Sequence, residues 1–101
     1  MNTNELVPII ESFLREFIIE QTDSHTANEL KEDLRAVSQE ILGYVSRAHN
    51  KEPDADKLLE LAQSRADIME ARIKIINGHK KNVKLRGVVI LVAKILLKVA
   101  L

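Results

Sequence analysis

Residues 26–49 read TANELKEDLRAVSQEILGYVSRAH, and within them Leu30, Leu34, Val37, Ile41, Tyr44 and Ala48 follow at steps of four, three, four, three and four. That recurrence returns apolar side chains to one face of a 3.6-residue helix, and it fits no strand, whose faces alternate at every residue. Thr26 and Glu29 stand at the spacing of a capping box, in which each side chain satisfies a backbone N–H of the first turn. The pattern predicts a helix over about 26–49 with a heptad-like apolar seam to bury.

Upstream, Leu6, Ile9 or Ile10, Phe13, Phe17 and Ile18 recur at helical steps and predict a first helix over about 4–21. Asn4 is its expected N-cap, which leaves Pro8 near the first turn, where a missing backbone donor costs little. The polar run Thr22-Asp23-Ser24-His25 separates the two helices. Downstream, Asn50-Lys51-Glu52-Pro53 reads as a turn, with Glu52 or Asp54 as the next cap. A third helix over about 54–77 carries Leu58, Ala62, Met69, Ile73 and Ile76 and stops at Asn77-Gly78. The two long helices, each roughly 36 Å at 1.5 Å per residue, should form an antiparallel hairpin.

Residues 82–101 read NVKLRGVVILVAKILLKVAL, a β-branched run that could be taken for a strand. Lys84, Gly87, Leu91, Lys94 and Lys98 nevertheless share one stripe of roughly 80° on a helical wheel, so a last helix over about 80–101 is expected. The predicted fold is all-α: one domain of residues 1–101, a four-helix antiparallel, up-down-up-down bundle that oligomerisation would complete. Aromatic residues are limited to Phe13, Phe17 and Tyr44, so the core must be aliphatic. Cysteine is absent, and the N-terminus lacks the basic start and apolar run of a secretory signal; both point to the cytoplasm.

The zero net charge hides an asymmetry. All 15 acidic residues lie between Glu5 and Glu70 beside 7 basic ones, or −8, whereas residues 71–101 hold the other 8 basic residues and no acid, or +8. Such blocks mark either a surface for an oppositely charged partner or a basic helix lying against its own acidic neighbours.

The last helix is apolar over more of its circumference than the arc of somewhat over 100° that a bundle covers. The surplus implies a protein–protein interface, expected at Val88, Ile90, Leu91, Ile95, Leu97 and Leu101, on a second copy or a partner protein. The alternatives are a core helix buried within a monomer, and an interfacial helix on anionic lipid with the protein membrane-peripheral, because the segment is short of the roughly 20 apolar residues that span a bilayer. A basic patch of Lys80, Lys81, Lys84, Arg86, Lys94 and Lys98 would suit lipid headgroups or, less well, a nucleic-acid backbone, since no aromatic residue stands among them to stack on bases.

Chemistry finds little purchase. His25, His49 and His79 are scattered, and only His25 has a carboxylate, Glu29, one helical turn away. Asn50, Glu52, Asp54 and Asp56 alternate like the start of a calcium loop, but Ala55 and Leu61 stand where glycine and glutamate are needed. Gly43, Gly78 and Gly87 form no phosphate loop, and no serine has a histidine at a meaningful local spacing. The sequence therefore predicts no enzyme, no cofactor, no metal and no small-molecule substrate.

Overall fold

Burial follows the seam through its first half. Leu30, Leu34, Val37 and Ile41 are all buried; beyond Ile41 the buried position passes to Val45, while Tyr44 and Ala48 are half-buried. A straight helix drifts by roughly 20° per heptad against a seven-residue repeat, which is enough to hand the core from Tyr44 to its neighbour.

The computed structural model describes residues 5–78 and 82–99, and these form an all-α fold. The helices are α1 (Leu6–Gln21), α2 (Ser24–Glu29), α3 (Lys31–His49), α4 (Ala55–Ile76) and α5 (Arg86–Val99). Asn4, the expected first cap, lies outside the described residues, as do His79, Lys80, Lys81, Ala100 and Leu101.

Among the described residues five helices appear where four were expected, because the one predicted over 26–49 is two. Asp23 caps α2: its carboxylate accepts the Thr26 N–H at 2.7 Å. The Thr26/Glu29 capping box therefore does not form; Thr26 is buried inside α2, and its hydroxyl lies 3.4 Å from Asn77 Oδ1 at the end of α4. At Leu30 the backbone leaves helical geometry (φ −101°, ψ 9°) while its side chain stays buried. Arg72 on α4 holds this joint, donating to the Glu29 carbonyl at 3.1 Å and pairing with the Asp33 carboxylate.

Helices α3 and α4 form the expected hairpin. Three ion pairs tie them like rungs, Arg47–Asp54 at 2.6 Å beside the turn, Glu40–Arg65 at 2.7 Å in the middle and Asp33–Arg72 at the far end, which fixes the antiparallel sense. Gly43 permits the close approach, since a Cβ there would meet Leu58 Cδ1 at 3.1 Å. The buried row on α4 is Ala55, Ala62, Ala66, Met69 and Ile73, so small residues face α3 along much of the contact. Lys51 adopts φ 59° at the end of α3, and Gly78 adopts φ 61° after α4.

Helix α3 is the centre of the molecule. It packs against α1, α2, α4 and α5; α5 rests on both α3 and α4, and α1 on α3 and α2. α1 and α5 share no extended contact, so among the described residues the ring of neighbours that an up-down-up-down bundle closes is open between them. The whole measures 42 × 24 × 19 Å. No helix of the described residues is long and apolar enough to cross a membrane.

Candidate interaction surface

The last helix begins later than expected, and its approach explains why. Residues 82–85 are not helical: Val83 and Leu85 are buried while Asn82 and Lys84 are exposed, an alternation of extended chain. The Glu70 carboxylate then accepts the N–H groups of Leu85 and, at 3.3 Å, Arg86, satisfying donors that open the helix. Lys84 thus precedes the helix and drops out of the lysine stripe. The positive end of the helix dipole is occupied by the chain's own carboxylate, leaving less for a phosphate there.

Within α5, Val89, Val92 and Ala93 are buried, with Val88, Leu96 and Leu97 partly buried against the same core. That row uses only part of the apolar circumference. Leu91, Ile95 and Val99, at successive steps of four, remain 54%, 49% and 75% exposed. Lys94 and Lys98 are exposed on the adjoining strip, and Gly87 is exposed with open space where a side chain would stand.

Of the interface positions expected from sequence, Leu91 and Ile95 lie in the open, Val88, Ile90 and Leu97 are intermediate, and Leu101 lies outside the described residues. Of the basic patch, Lys84, Lys94 and Lys98 are exposed, and Arg86 pairs with Asp67 at 2.7 Å. Lys80 and Lys81 lie outside the described residues.

A second apolar face was missed. On α1 the buried row is Ile10, Leu14 and Ile18, while Phe13, expected on the packed face, is 51% exposed and Ile9 is 53% exposed. The signal was the apolar pair at positions 9 and 10: two rows roughly 100° apart cannot both face one neighbour. Glu16 and Glu20 are exposed, and at 100° per residue each falls roughly 20° from Ile9 on the wheel. A third set, Leu61, Ile68 and Ile75 at steps of seven, is exposed on α4 on the side away from its buried row.

The depression between α1 and α3, about 360 Å³, is open and bordered by Glu11, Arg15, Lys31, Glu32 and Arg35, a mixture of both charges. His25 and His49 are exposed on separate helices, and among the described residues no three histidine or carboxylate groups converge as metal ligands. Compared with family models, curated proteins and solved structures, the chain matches none.

Proposed function

We propose that the protein is a non-enzymatic assembly module, docking through the exposed face of α5 on a second chain, another copy or a partner protein. One observation carries this reading: after the bundle has covered Val89, Val92 and Ala93, the stripe Leu91-Ile95-Val99 still lies exposed beside Lys94 and Lys98. A contiguous apolar stripe with a charged rim is the anatomy of a protein interface. In fold terms the chain is an up-down-up-down bundle jointed at α2, with its open edge closed by whatever docks. A charged-surface partner, anionic lipid or nucleic acid, gains less support, since Arg86 is already paired and Lys84 stands apart from the helix.

The lack of native cysteine permits a direct test. An Ile95→Cys variant carrying a benzophenone label should, on irradiation, yield an adduct to another polypeptide that a label at the exposed Gln39 does not yield. Only unlinked chain from the Ile95 position would overturn the assignment.

A further inference from the structure

Resting on the docking role of α5, we infer that the occupant is α1 of a second copy, in a two-fold dimer where each α5 covers the other chain's Ile9 and Phe13. The two helices share no extended contact within one chain, and each keeps an apolar row exposed beside its buried one.

Charge selects this pairing over self-pairing of either helix. Lys94 and Lys98 flank the α5 stripe; Glu16 and Glu20 continue the line of Ile9 and Phe13 towards the end of α1; all four are exposed, and none belongs to an ion pair among the described residues. Packing α5 on α5 would set the lysines against their own copies, and α1 on α1 would do the same with the glutamates, each an unfavourable juxtaposition of like charge. α1 on α5 sets glutamate against lysine twice about the two-fold axis. The same contact gives the chain's separation into a −8 portion and a +8 portion an intermolecular use. A two-fold arrangement also closes: both copies of each face are covered and none is left to propagate a filament.

The test uses two full-length variants, Lys94→Glu/Lys98→Glu and Glu16→Lys/Glu20→Lys. Each alone opposes like charges at both contacts and should sediment as a monomer with unchanged helical circular dichroism. Mixed one to one, they restore glutamate opposite lysine at both contacts of a mixed dimer, which should return to the wild-type sedimentation coefficient. An Ile68→Glu change on the exposed face of α4 should leave the wild-type dimer intact.

A wild type that stays monomeric across the concentration range would overturn the inference. So would assembly of either variant alone, a mixture that fails to associate, or dissociation by Ile68→Glu. Failure of the mixture alongside a persisting Ile95 adduct would remove α1 as the occupant and leave the docking role of α5 standing; loss of both would remove the two together.

Discussion

Leu34 and Ile41 sit at 3% and 0% exposure in the row that every other helix leans on. Truncating either to alanine removes buried methyl groups and leaves a cavity, so Leu34→Ala and Ile41→Ala should each cost about 2 to 5 kcal/mol in denaturant unfolding. Lys51 holds a left-handed backbone where a helix commonly ends on glycine, so Lys51→Gly should relieve a penalty of roughly 1 to 2 kcal/mol, partly offset by the roughly 0.5 to 1 kcal/mol of backbone entropy that glycine costs, and stabilise the chain slightly in denaturant unfolding. Asp23 is a pH-sensitive point. The Thr26 backbone N–H, then the Thr26 hydroxyl and the His25 charge, hold its carboxyl below the ordinary value of 3.8. A lowered folded-state pKa means that its contribution is complete above the ordinary carboxylate range and is lost as pH falls through the lowered value. Hydrogen exchange at the Thr26 amide, corrected for intrinsic rate, should accelerate over that acid window and should be fast at neutral pH in Asp23→Ala. The seam residues were legible because spacing alone places them. Asp23 was not: Asp23–Thr26 and Thr26–Glu29 offer competing caps, and the choice follows from Thr26 being drawn inside against Asn77.

At the scale of elements, α1, α3 and α4 lie within a residue or two of their expected bounds at the described ends, apart from the start of α3, because long apolar periodicities survive local irregularities. The break at Leu30 leaves no glycine or proline in the sequence; it is bridged by Arg72, more than forty residues away, which holds a carbonyl and a carboxylate across the joint. The late start of α5 has a similar origin. Its first turn depends on Glu70, so Glu70→Ala, which strips the acceptor from Leu85 and Arg86, should cost about 0.5 to 2 kcal/mol in thermal or chemical unfolding, as loss of a helix cap does. Glu70→Gln retains an acceptor oxygen and should cost less. Equal losses in the two variants would show that the carboxylate acts by charge rather than as an acceptor.

For the whole molecule, charge and apolar surface lead to the same place. The sequence shows a basic, over-apolar last segment, and the bundle accounts for only part of it: Arg86 and Glu70 turn some of the asymmetry inward, while Lys94, Lys98 and the Leu91 stripe are left outside. The second exposed face, on α1, was hidden in an apolar row that reads as core until Ile10, Leu14 and Ile18 claim that role. In the proposed assembly α5 is core on one side and interface on the other. Sedimentation velocity of wild type and Ile95→Glu over a concentration series, with circular dichroism on the same samples, tests it most directly. Wild type should move from the 11.4 kDa monomer towards a dimer as concentration rises, and Ile95→Glu should remain a fully helical monomer. A wild type that is monomeric throughout, together with an Ile95→Glu variant that loses its helical signal, would mean that the stripe is ordinary core and that α5 offers no docking face.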